Sequence, residues 1–182
     1  MHPAFLYLPG RRLSLTELSA ARLDGHVVEV GDAYIPADLP AGPEVRAASL
    51  APLIQTGAAA SGPSAAWVHG AGDAAPTPHH VRRAVTRRLR PMQSPRVRYH
   101  DTVLPDEDVI TLAGVRVTTV ERTLADLALA AHRDGTLHPW LTALGMLDPA
   151  ATRSALGRVQ ALQRVPGSRG AIVLLEALVT TT

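Results

Sequence analysis

The chain has 182 residues, 46% hydrophobic and 19% charged, which is enough apolar material for a buried core and excludes a disordered chain. It holds no cysteine, so a disulfide framework, a thiolate zinc site and a cysteine nucleophile are excluded together. The formal net charge is only +2, but residues 82–98 carry seven arginines and no acid, which leaves the rest of the chain at −5.

The start, MHPAFLYLPGRR, has too short an apolar run for a signal peptide, and its arginines lie on the wrong side of it. No stretch approaches the ~20 apolar residues that span a bilayer, so the expected compartment is the cytoplasm. Ser14-Leu15-Thr16-Glu17 has capping-box spacing and predicts a helix stopped by Asp24-Gly25. Two short strands follow, Val27 to Val30 and Ala33 to Pro36, around a Gly31-Asp32 turn. Residues 37–43 read as a linker, and an alanine-rich helix starting over 44–50 must end or kink at Pro52. A second short helix is expected over 61–69, with Ser61 near its N-cap and Pro63 in its first turn.

The middle is strand-like. Segments at 80–85, 96–100, 109–112 and 115–118 are β-branched or alternating, the last two joined by a tight Ala113-Gly114 hairpin. From Thr119 the period becomes helical, with Val120, Leu124, Leu127 and Ala128 on one face. After about residue 137 the chain reads as helix broken at Gly145, Asp148-Pro149 and Pro166-Gly167. The apolar segment 171–179 is expected to be buried, at a subunit interface if nowhere else. The fold class is α+β: an N-terminal helix and β-hairpin, a small mixed or antiparallel sheet with packed helices, and a helical C-terminus.

Four stretches resemble the AbiEi-type antitoxin family of bacterial type IV toxin–antitoxin systems, in the variant common in actinobacteria. They are LTELSAARLDGHVVEVGDAYIPAD, SGPSAAWVHG, the basic strand region after it, and LPDEDVITLAGVRVTTVERTLADLA, in which a hairpin ending in VTT leads into an ERTLADLA helix. The resemblance implies a cytoplasmic regulator with an N-terminal winged helix-turn-helix and an α/β antitoxin domain. Such proteins bind operator DNA and repress their own transcription, and many are encoded beside a nucleotidyltransferase toxin. A complete winged helix carries about three helices. Only one precedes this hairpin, so residues 1–38 read as a reduced winged-helix-like unit and 44–182 as the antitoxin domain with a helical end. Longer relatives often carry a nuclease-like domain, whose lysine-dependent motif is excluded in a chain without lysine.

The expected function is therefore binding, not turnover, by an antitoxin or transcriptional regulator. Arg82, Arg83, Arg87, Arg88, Arg90, Arg96 and Arg98 would attract phosphate, helped by Arg11, Arg12 and Arg22. The expected partners are double-stranded DNA and a protein, a toxin or a second copy, with no membrane, cofactor, metal or small-molecule substrate. Against this stands a protein-interaction module that has lost DNA binding, its arginines solvated, docked on an acidic protein, or paired with Asp101, Asp106, Glu107 and Asp108 nearby. The N-terminal unit has the same two readings: a reading head, or a remnant packed on the larger body and opposed to DNA by Glu17, Asp24, Glu29 and Asp32. The choice of arginine over lysine carries no weight, because asparagine is also absent and both are read from A/T-rich codons. His79, His80 and His100 could meet on a metal if their strands paired, but the spacing favours surface histidines. Asp106-Glu107-Asp108 suits a turn better than carboxylate catalysis. His69 is expected to cap its helix on a last-turn carbonyl, and Arg122 and Asp126, four apart, to meet on one helix face.

Overall fold

The computed structural model describes residues 5–91, 94–162 and 164–181. Helix α1 (Leu15–Leu23) starts as its capping box dictates: the Ser14 hydroxyl accepts the Glu17 amide at 3.2 Å, and Glu17 accepts the Ser14 amide at 2.7 Å. Strands β1 (Val27–Val30) and β2 (Ala33–Pro36) form the expected hairpin, with Gly31 in the left-handed region at its turn. Before α1, Tyr7 and Tyr34 exchange backbone hydrogen bonds of 2.8 and 2.9 Å along the edge of β2, and among the described residues no α-helix precedes α1. Leu18, Val27 and Tyr34 bury a small cluster, while Val30 and Ile35 pack into a larger core with Val45, Trp67, Val115 and Val117.

The larger sheet has five strands in the order β5-β4-β3-β7-β6. Its members are β3 (Ala58–Ala60), β4 (His79–Arg83), β5 (Val97–His100), β6 (Val109–Leu112) and β7 (Val115–Thr118). The central strand, β3, is absent from the sequence reading because three alanines carry no β-branched or alternating signal. All three are buried, and their small side chains let helices close on the sheet. Helix α2 (Pro43–Ser49) runs into a 3-10 turn at Ala51–Leu53, and α3 (Gly62–Val68) follows β3 directly. Ala113 and Gly114 both take positive φ, +47° and +81°, as a two-residue hairpin between β6 and β7 requires. β4 and β5 pair parallel, not as a hairpin, so the chain between them makes a crossover connection, described at 84–91 and 94–96.

Helices α4 (Val120–Ala131), α5 (His138–Leu147), α6 (Pro149–Gln160) and α7 (Ser168–Thr181) complete the body. Thr119 caps α4 by accepting the Arg122 amide at 3.2 Å, and Asp148 caps α6 by accepting the Ala151 amide at 2.8 Å. Two expectations are corrected. Gly145 does not break a helix but lies inside α5, where an added Cβ would stand 2.9 Å from Leu178; its role is close packing against α7. Nor is α7 buried all round: Ala171 and Leu175 enter the core, while Val173 is 64% exposed. No helix of the described residues is long and apolar enough to cross a membrane.

Candidate nucleic-acid interface

The arginine segment divides into two groups. Three of its members are committed to ion pairs within the fold. Arg82 on β4 donates from Nη1 to Asp126 on α4 at 2.9 Å, both side chains being mostly buried. Arg83 holds the Asp101 carboxylate at 3.0 Å and also donates to the carbonyls of Asp101 and Thr86. Arg96 pairs with Asp32 in the β1–β2 turn and so ties the N-terminal hairpin to the start of β5. These pairs follow from chain order: β4 and β5 carry the positives, and the elements packed against them carry the negatives.

The other four are exposed. Arg87, Arg88 and Arg90 stand on the crossover between β4 and β5 and form no ion pair among the described residues. The crossover is anchored from beneath by Val85 and Leu89, which approach Gly57 closely enough that a Cβ there would lie 3.1–3.4 Å from them. Apolar residues at 85 and 89 inward and arginines at 87, 88 and 90 outward leave three fixed-sign charges on a seated loop. Arg98 is exposed on the edge strand β5. Arg11, Arg12 and Arg22 are exposed on the N-terminal unit, with Arg11 and Arg12 at the rim of a cavity of ≈510 Å³ between that unit and α2.

Behind this surface the ERTLADLA segment builds a chain of buried charges. Arg122 donates to Asp126 at 3.0 Å, as the four-residue spacing predicts, and to Asp108 at 2.5 Å. Asp108 is also held by both terminal nitrogens of Arg158 at 2.7 Å, and Arg158 reaches Glu121 at 3.5 Å. The sequence Arg82–Asp126–Arg122–Asp108–Arg158 therefore links β4, α4, the turn before β6 and α6 with charges that alternate in sign. Burial works against the Arg122 charge, but Asp126 and Asp108 outweigh it and hold its pKa above the ordinary value. The expected turn role of Asp106-Glu107-Asp108 is met by a 3-10 turn, yet Asp108 does more than turn the chain. No spacing rule reaches Arg158, fifty residues away in sequence.

The histidines need correction. His79 is buried, not on the surface, and its ring lies 3.5 Å from the Ser64 hydroxyl. His80 and His100 are brought together by the parallel pairing, with Nδ1 and Nε2 3.4 Å apart and ring centroids at 5.3 Å. Burial lowers the pKa of all three, and for His80 the neighbouring His100 and Arg98 add to the effect and bring it to about 4. Among the described residues no group of three or more His, Asp or Glu could hold a metal. His69 is the C-cap of α3 through its backbone, but its ring bonds the Thr118 carbonyl of β7 at 2.7 Å instead of a last-turn carbonyl. The family-like AAWVHG and VTT segments thus meet at one hydrogen bond.

Together these features define an α+β protein that pairs several charges across its own elements, with a seated loop of arginines, free of ion pairs among the described residues, left outward. Residues 58–177 match the family model of the AbiEi antitoxin C-terminal domain, and the chain belongs to that family. The match runs from β3 into α7 and includes the arginine loop and the whole charge chain. No curated protein matches the chain.

Proposed function

We propose that this member of the AbiEi antitoxin family acts by binding, as an antitoxin and transcriptional regulator that engages double-stranded DNA through its arginine loop. The observation that carries the reading is the exposure of Arg87, Arg88 and Arg90 without ion pairs among the described residues, on a loop anchored by Val85 and Leu89. A guanidinium held against a carboxylate within the fold is not free to follow a DNA backbone, so Arg82, Arg83 and Arg96 move from the duplex contact surface to its support. Arg98, Arg11, Arg12 and Arg22 extend the contact as secondary sites. In this reading residues 1–38 are a reduced winged-helix-like unit held on the antitoxin body of 44–182 by Arg96–Asp32 and by Val30 and Ile35. The protein partner is a nucleotidyltransferase toxin or a second copy of this chain, and the compartment is the cytoplasm.

Fluorescence anisotropy with a random-sequence duplex at low salt tests this. Replacing Arg87, Arg88 and Arg90 together by Ser is expected to weaken binding at least about tenfold, since each removes one phosphate contact. All three sites are exposed, so the melting temperature should stay unchanged. Equal affinity of variant and wild type would refute the loop's role. No binding by the wild type would leave the same arginines to an acidic protein.

A further inference from the structure

β4 and β5 run parallel with His80 opposite Arg98 and Arg82 opposite His100. Residues two apart on a strand share a face. The pairing therefore sets two imidazoles and two guanidiniums on one face of the sheet edge, which forms a wall of a cavity of ≈550 Å³. Arg133, just past α4, adds a third guanidinium to the lining. Opposite them lie Leu127, Ala130, Leu137 and Val165. A mainly apolar cavity of this size with a few convergent polar groups is the usual form of a small-molecule site.

The charges decide what could enter. The two lining carboxylates are already engaged: Asp126 by Arg82 and Arg122, and Asp134 by Thr136, whose amide and hydroxyl it accepts at 3.1 and 2.5 Å. The Nε–H of Arg82 is buried and has no acceptor among the described residues. A buried donor without a partner is costly, and an entering acceptor would relieve it. A cation would meet three guanidiniums and only two neighbouring histidines, which no third ligand joins. The site suits an anion.

We propose that this cavity binds an organic phosphate of mononucleotide size, its phosphate held by Arg98, Arg82 Nε and the His80–His100 pair, its organic part against Leu127, Leu137 and Val165. The ligand is a small molecule distinct from the DNA that the arginine loop engages; the two surfaces share Arg98, and Arg87, Arg88 and Arg90 belong to the DNA surface alone. The empty pair is kept neutral near pH 7 by burial and by Arg82, Arg98 and His79 on the strands, with Asp126 and Asp134 opposing from the α4 side. A phosphate dianion beside the rings reverses that balance, so binding takes up protons and tightens as pH falls from about 8 to about 6.5, above the second phosphate pKa of ~6.

The test is NMR of the histidine rings in the full chain, titrated with AMP, GMP, CMP and UMP, with inorganic phosphate, and with the parent nucleosides. Calorimetry in two buffers of different ionisation enthalpy reads the protons. At least one nucleotide should shift His80 and His100 together, its nucleoside should not, and proton uptake should accompany binding. Arg98→Gln, at an exposed position, should weaken it by about tenfold, the usual worth of one charge-assisted hydrogen bond. The Arg87, Arg88, Arg90 triple Ser variant should bind the nucleotide as wild type does, even if it loses DNA. Absence of shifts with all four nucleotides and with phosphate would overturn the proposal. So would shifts from phosphate with none from the nucleotides, nucleosides acting as well as nucleotides, or equal affinity in Arg98→Gln.

Discussion

Asp108 shows how a single carboxylate can hold a fold together. It is 1% exposed, accepts from both Arg122 and Arg158, and its backbone carbonyl accepts the Thr119 amide at 2.9 Å where β7 passes into α4. Replacing it by Ala leaves two guanidiniums facing each other beside a buried gap. Urea denaturation should show a loss of about 3–5 kcal/mol, the cost of breaking a buried pair from one side. A loss below ~1 kcal/mol would mean that the pairs are solvated. The histidines make a second prediction. His69, His79, His80 and His100 all have folded pKa values below the unfolded 6.5, so the unfolded chain binds more protons at mildly acid pH. Their contribution to stability is present above pH 6.5 and is lost as pH falls towards the folded values, about 4 for His80. Melting temperatures across pH 7 to 4 should decline. His80→Gln should flatten part of that decline, and an unchanged slope would contradict the burial of its ring.

Elements with their own local signal were legible from sequence, and elements set by context were not. The Ser14 capping box, the Gly31 and Ala113-Gly114 turns and the change of period at Thr119 each act within a few residues, and each stands where expected. β3 escaped because Ala58–Ala60 is a strand only by virtue of its neighbours β4 and β7. Gly145 misled for the related reason that its missing side chain serves α7, not the helix it sits in. The candidate site was half legible: the seven arginines stood out, and Asp101 was in reach as a partner and does pair with Arg83, but the pairing of Arg82 and Arg96 depended on Asp126 and Asp32, brought close only by folding. The β1–β2 turn offers a test at this scale. A Cβ on Gly31 would stand 2.6 Å from the Ser49 hydroxyl and 3.0 Å from the Trp67 ring, at φ +57°. Gly31→Ala should therefore cost about 1–3 kcal/mol in chemical denaturation, from strain and overpacking together. A neutral result would mean that the hairpin is not seated on α2 and α3.

Across the whole molecule, a net charge of +2 conceals a consistent arrangement. Opposite charges are paired where elements meet, and Arg87, Arg88, Arg90 and Arg98, without an ion pair among the described residues, stand at one edge of the five-stranded sheet, on the crossover and on β5. On the proposed reading that edge would attract polyanions and leave sequence discrimination to other elements, since phosphate contacts position a protein without reading bases. The salt dependence of duplex binding measures that edge directly. Arg87, Arg88, Arg90 and Arg98 together should contribute about −3 to −4 to the log–log slope, at ~0.9 per phosphate contact. The triple Ser variant at 87, 88 and 90 should make the slope shallower by about 3, while Arg83→Ser, which removes an internally paired arginine, should leave the slope of the folded protein unchanged. A wild-type slope near zero, or a triple variant with the wild-type slope, would contradict the account.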